Sequence, residues 1–209
     1  GSDGAHSSLD TLSSQMEDIA SIAGARPKGV RQHILKMDIP KTWEIESTAG
    51  LDYDATFAYN RFFGFRGEIC FPYHPFSTKR LPLIELPTSF MDWTALYKGV
   101  RGSQAERVLN SIMERVEHYN GLLLVNFHNT YLNRETFPDV LALYEGLIDR
   151  IFERGYWVTT ASACSEWWRR RASEKPRVGP EWGKAGENGD VQLEVIDRIE
   201  PSIAKGVRN

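Results

Sequence analysis

The sequence predicts an α/β protein with a mostly parallel sheet. Three observations carry this expectation. Helical hydrophobic periods alternate with short apolar runs along most of the chain. The run Leu122–Val125, inside the segment 121–127, follows a strongly amphipathic stretch, as a buried parallel strand does. Several of the apolar runs end on ionisable residues, and in α/β sheets function collects at the carboxyl ends of strands.

The elements follow in order. Leu12, Met16, Ile19 and Ile22 recur at helical spacing, which predicts a helix over about residues 9–23, closed by Gly24, Arg26 and Pro27. A short strand is expected over 29–35. A second helix opens at Pro40 to Trp43, with proline near the first turn, and closes at Gly50. Leu51 to Tyr53 reads as a brief strand. Residues 58–80 combine dense aromatics with Pro72 and Pro75, and so read as a long shaped loop. Leu83 to Leu86 is a strand between Pro82 and Pro87. Val108, Leu109, Ile112, Met113 and Val116 mark a helix over about 103–119. Val140 to Phe152 is the next helix, Tyr156 to Thr159 a strand, and Ser165 to Arg171 a last helical turn carrying Trp167 and Trp168. Residues 174–190 are rich in Gly and Pro and read as a linker. The alternation in Val191 to Val195 predicts the start of a β-rich appendage over 191–209. The main domain is accordingly expected over 1–173.

Composition narrows the function classes. Of 209 residues, 25 are Lys or Arg and 28 Asp or Glu, a net charge of −3 that argues against a nucleic-acid partner. No apolar run approaches the length of a membrane span. Cys70 and Cys164 stand far apart, which excludes a disulfide framework and a cysteine zinc ribbon. The polar N-terminal segment has no signal-peptide pattern, so a cytoplasmic location is expected. The sequence sets no oligomeric state. The excess lies in aromatic residues, at 11% with 6 Trp.

The candidate site residues stand at strand ends. His128 follows an apolar strand, where a rigid element holds an imidazole able to act as general acid or base. Arg31 offers a planar fork for a carboxylate or another anion, and His33 lies two residues on. Asp52 and Asp54 end another strand. Asp92 precedes Trp93, a ring able to stack on a sugar. For each of these residues a purely structural role weighs about as much.

Taken in order, these residues resemble a bacterial and archaeal branch of the NodB-type polysaccharide deacetylases. The likeness rests on Gly29-Val30-Arg31-Gln32-His33, Thr42-Trp43, Ala49-Gly50-Leu51, Tyr53-Asp54-Ala55-Thr56, Gly64-Phe65-Arg66-Gly67, Glu85-Leu86-Pro87 with Met91-Asp92, and Leu124-Val125-Asn126-Phe127-His128. It spans roughly residues 1–172. The resemblance implies a partial (β/α) barrel and metal-dependent hydrolysis of N-acetyl groups on a carbohydrate. It implies a divalent metal, most often zinc, held by one Asp and two His. His128 would then be the general acid and Arg31 would position the catalytic carboxylate, with His33 beside it in place of the usual proline. Asp54, Arg66, Asp92 and Trp93 would contact the sugar.

The metal motif departs from the family. His6-Ser7-Ser8-Leu9-Asp10 matches the start of the His-Ser/Thr-x-x-His motif, with Asp10 where the second His belongs. In a second register Asp3-Gly4-Ala5-His6 aligns with the branch's His-Gly-Ser-Tyr, placing Asp3 at the metal position. His6 and Asp3 are the metal candidates. No strand ending in paired Asp precedes them, so the chain is expected to begin inside the domain, with little activity alone. The alternative expectation is a non-catalytic carbohydrate-binding relative.

Overall fold

The structure, a computed structural model, describes residues 1–2 and 4–173. Their compact unit is Gly1–Ala172. The expected linker and appendage lie outside the described residues.

Among the described residues there are five short strands, and every pairing between them is parallel. β1 (Gly29–Val30), β2 (Tyr53–Asp54) and β3 (Ile84–Glu85) form one sheet in that order, with Gly29 opposite Tyr53 and Tyr53 opposite Ile84. β4 (Phe90–Met91) and β5 (Val125–Asn126) form a second. These strands make two sheets and do not close into a barrel. Gly29 is required by packing: a Cβ there would fall 2.1 Å from the Tyr53 ring.

The helices form where sequence and capping agree. α1 (Leu9–Ala23) is capped by Ser8, whose hydroxyl accepts from the Thr11 amide at 3.2 Å, and ends at a left-handed Gly24. It buries Leu12 and Met16, whereas Ile19 and Ile22 are exposed. Half of the apolar stripe that predicts this helix therefore faces outward. α2 (Lys41–Thr48) buries Trp43 against Leu51, Leu81 and Leu83. α4 (Gly102–Tyr119) and α5 (Pro138–Glu153) pack together through Leu109, Ile112, Met113, Leu143 and Leu147, over Phe90 of β4. Each such buried side chain contributes roughly 1.5–3 kcal/mol of transfer free energy. α6 (Ala161–Ser173) is tied back by Arg169, which donates to the Pro82 carbonyl at 2.7 Å and the Asp52 carbonyl at 2.6 Å.

Three departures from the expected elements matter. The strand predicted over 29–35 stops at Val30, and His33–Leu35 is a 3-10 turn with Ile34 and Leu35 at positive φ. The backbone turns where the apolar count suggests continuation. Phe90–Met91 adds a strand that runs directly into an unpredicted helix, α3 (Asp92–Lys98), ended by a left-handed Gly99. Tyr156 to Thr159 joins no strand ladder. There Tyr156 reaches back to α4, its hydroxyl donating to Glu117 Oε1 at 2.9 Å, and Trp157 packs against Trp167.

The aromatic loop is shaped as its composition suggests. Phe57, Tyr73 and Trp43 pack edge-on or tilted at 5.6–6.3 Å. Tyr73 makes an antiparallel bridge to Glu85, which folds the loop onto the edge of β3.

Candidate functional site

A cleft of about 910 Å³ opens beyond the carboxyl ends of β1, β4 and β5. Arg31 and His33 follow β1, Met91 ends β4 and Trp93 follows it, and Asn126 ends β5 with His128 just beyond. Parallel pairing within each sheet puts these residues at strand ends, where α/β folds place their ligands.

Arg31 spans the strands at the cleft floor. Its Nε donates to the Ala55 carbonyl at 3.1 Å, one terminal nitrogen to Asn126 Oδ1 at 3.1 Å, and the other to Thr88 Oγ1 at 3.3 Å. A planar guanidinium suits this spread of acceptors. Burial lowers the Arg31 pKa, opposed by the nearby Asp54 and Glu85.

His128 and Asp92 form the most specific constellation. Asp92 is fully buried at the start of α3, and its carboxylate accepts from the Trp93 amide at 2.6 Å, the His128 amide at 2.5 Å and His128 Nδ1 at 2.5 Å. A carboxylate only accepts, so Nδ1 carries the hydrogen and Nε2 is the ring nitrogen left for the cleft. The His128 side chain keeps 41% of its exposure and Asp92 none. The ring also meets Tyr131 edge-on at 5.5 Å. A reactive nitrogen on the wet side of a buried carboxylate is the arrangement that orients a general acid or base.

Trp93 lines the cleft, and Tyr97, which does not, backs it. Trp93 and Tyr97, four residues apart on α3, stack at 5.1 Å with planes 13° apart. The Arg61 guanidinium lies over the Tyr97 ring at 5.4 Å.

Behind the floor lies a buried acid cluster. Glu46, Asp54 and Glu85 are each fully buried. Burial, then the neighbouring Asp54, pushes Glu46 up to about 9. Burial, again followed by Asp54, raises Glu85 well above the usual carboxylate range. Asp54 is raised chiefly by burial, and a side-chain hydrogen bond joins it to Glu85. Glu85 also accepts from Trp43 Nε1 at 2.8 Å and the Phe57 amide at 3.1 Å, and Glu46 accepts from Gln32 Nε2 at 2.7 Å.

This cluster sets a pH dependence. As pH rises above 4.5, unfolded Glu46 releases its proton, whereas the folded residue keeps it until about pH 9. The native state then binds more protons than the unfolded state, so stability falls by up to about 1.4 kcal/mol per pH unit for that group. Melting temperatures of Glu46→Gln should fall less steeply than wild type between about pH 5 and 9, where that linkage acts. Parallel curves would contradict the assignment.

The predicted site residues divide. His128, Arg31, His33 and Trp93 line the cleft. Asp54, expected to contact substrate, is instead fully buried in the acid cluster. Asp92, also expected against the sugar, is buried too and touches the His128 ring. Arg66 does not line the cleft; it lies over the Phe57 ring at 4.7 Å. His6 is half-buried and lines no part of the cleft, and its carbonyl accepts from Thr42 Oγ1 at 2.8 Å. Asp3 lies outside the described residues. Among the described residues no group of three or more His, Cys, Asp or Glu is placed to hold a metal ion. Those residues therefore do not fit the cage of three or four protein ligands that zinc takes. Sequence reasoning missed Arg61 and Tyr97. The spacing of Trp93 and Tyr97 is a helical signal that seven residues are too few to reveal.

Fold and site together define an α/β protein with parallel strands and a histidine–carboxylate pair at the mouth of a cleft. No protein-family model matches the sequence. No curated protein matches it. A solved structure similar to the chain is a Bordetella bronchiseptica protein provisionally described as a polysaccharide deacetylase involved in O-antigen biosynthesis. The identity is 16% and the TM-score 0.37, with 73% of this chain covered. The chain spans about 60% of that protein's length. At that TM-score the likeness adds nothing to the geometry above. Among the described residues no helix is long and apolar enough to cross a membrane.

Proposed function

We propose that the cleft binds a carbohydrate and that His128 is the proton donor when an N-acetyl amide on it is hydrolysed. The observation that carries this reading is the Asp92–His128 pair, with Nδ1 anchored on a buried carboxylate and the ring on the cleft wall. The ordered motif resemblance supports the reaction class. Amide hydrolysis breaks a C–N bond, and the departing amine needs a proton at that moment. The imidazolium form of His128 supplies it from Nε2 and returns to the neutral Nδ1–H tautomer, and Asp92 holds Nδ1–H, and with it the ring orientation, in both states. Trp93 offers a flat apolar surface of the kind sugars stack on.

A second reading is a carbohydrate-binding protein without turnover. It is favoured by the donor set: the carboxylates behind the floor are buried, and the described residues form no metal cage. Acetate release from N-acetylated oligosaccharides, with divalent metal supplied, separates the two. On the first reading His128→Ala loses about 10²–10⁴-fold of the release while saccharide binding persists. Unchanged release in that variant would remove His128 from the reaction. Binding without any release by the wild-type chain would select the second reading.

A further inference from the structure

The charge lining the cleft points past a neutral sugar. Two of its side chains are guanidinium groups, Arg31 and Arg61, and two are imidazoles, His33 and His128, the latter held on the Asp92 carboxylate. Among the described residues, no Asp or Glu lines it. Arg31 donates only to neutral oxygens, from Ala55, Thr88 and Asn126. Arg61 is exposed, and its described interaction is with the Tyr97 ring. Neither arginine makes an ion pair among the described residues. The carboxylates that act on Arg31, Asp54 and Glu85, are both fully buried, and burial raises the pKa of each. In a protein with a net charge of −3, the two arginines are the side chains of fixed charge on the described lining of this cleft. Low-dielectric walls focus such a field on the ligand.

Resting on the carbohydrate reading above, we propose that the cleft selects a saccharide carrying an anionic group, a carboxylate or a phosphate, and that Arg61 is the residue that recognises it. Arg61 is suited to the task. Its guanidinium carbon lies 5.4 Å from the centre of the Tyr97 ring, which is itself stacked on Trp93, so the head group has an ordering contact before the ligand arrives. Part of the side-chain ordering that binding requires is already made in the free protein. A guanidinium meets either anion through paired N–H bonds. Arg61, Trp93 and His128 line the same cleft, so one bound saccharide is offered an arginine, a flat ring and an imidazole together.

The test is calorimetric titration of the full chain with three probes: N-acetylglucosamine, its 6-carboxylate and its 6-phosphate. At low salt at least one anionic probe should bind about tenfold tighter than the neutral sugar, the worth of one charge-assisted contact. The advantage should shrink as salt is raised. Arg61→Met, which keeps the apolar stem over Tyr97, should bring the anionic probe down to the neutral one. Preference for the carboxylate over the phosphate identifies an acidic sugar, and the reverse identifies a phosphosugar. Neutral and anionic probes bound alike by wild type would overturn the charge selection while leaving the carbohydrate reading intact. A preference that survives in a folded Arg61→Met chain would overturn the role of Arg61. No binding of any probe would overturn both readings.

Discussion

Asp92→Ala is expected to destabilise the chain by about 2–4 kcal/mol, since each donor left without its acceptor in a buried place costs about 1–3 kcal/mol. The carboxylate has no exposure and accepts from the Trp93 amide, the His128 amide and the His128 ring. Its removal strands two backbone donors at the start of α3 and the end of β5, together with the ring nitrogen. Denaturant unfolding measures the loss. The conservative Asp92→Asn variant separates support from function. Its amide oxygen still accepts from a backbone N–H, but an amide NH₂ turned toward Nδ1 would favour the tautomer with hydrogen on Nε2 and a lone pair on Nδ1. Nitrogen chemical shifts of the His128 ring read that change directly. A folded Asp92→Asn chain whose ring nitrogens match wild type would show that Asp92 does not set the tautomer.

Arg31→Met should cost about 2–4 kcal/mol, since hydrogen bonds from a charged donor are worth about 1.5–3 kcal/mol each and the freed acceptors regain water only in part. The guanidinium is the tie between the segment after β1, Ala55 after β2, Thr88 and Asn126 of β5. It therefore links the two sheets across the cleft floor. Arg31→Lys should recover little of the loss, because a single ammonium on a flexible stem does not span those acceptors. Full rescue by lysine, seen as an unchanged unfolding midpoint, would mean that the charge matters there and the fork does not.

These two residues show what is legible in a sequence of this kind. Arg31 and His128 stand out because each follows a short apolar run, and the structure places both on the cleft. The helices with dense apolar periods, α1 and α4, are equally visible. Asp92 is different. A strand of two residues leading into a helix of seven leaves too few positions for either period to emerge. Asp92 then looks like a polar residue beside an aromatic one, and its hydrogen bonds to a residue 36 positions away are set by parallel pairing of β4 with β5. Asp54 fails for another reason. Its strand end carries the expected carboxylate, but Glu85 on the neighbouring strand and Glu46 on α2 face it, and burial turns the group inward. Nothing in the local sequence distinguishes a carboxylate that faces a cleft from one that shares a proton behind it. The strand predicted over 29–35 overruns because Ile34 and Leu35 are strong strand formers by composition, yet both adopt positive φ at the cleft mouth. Non-glycine residues held there are uncommon and cluster at binding sites.

The central claim is that the cleft bounded by His128, Trp93 and Arg31 is where a carbohydrate sits. The most direct test is nuclear magnetic resonance titration of the chain with an N-acetylated oligosaccharide, observing the His128 imidazole and the Trp93 indole. Both side chains should shift together along one saturable curve, while the Trp157 indole, outside the cleft, stays in place. Saturable binding that leaves His128 and Trp93 unmoved would contradict the account.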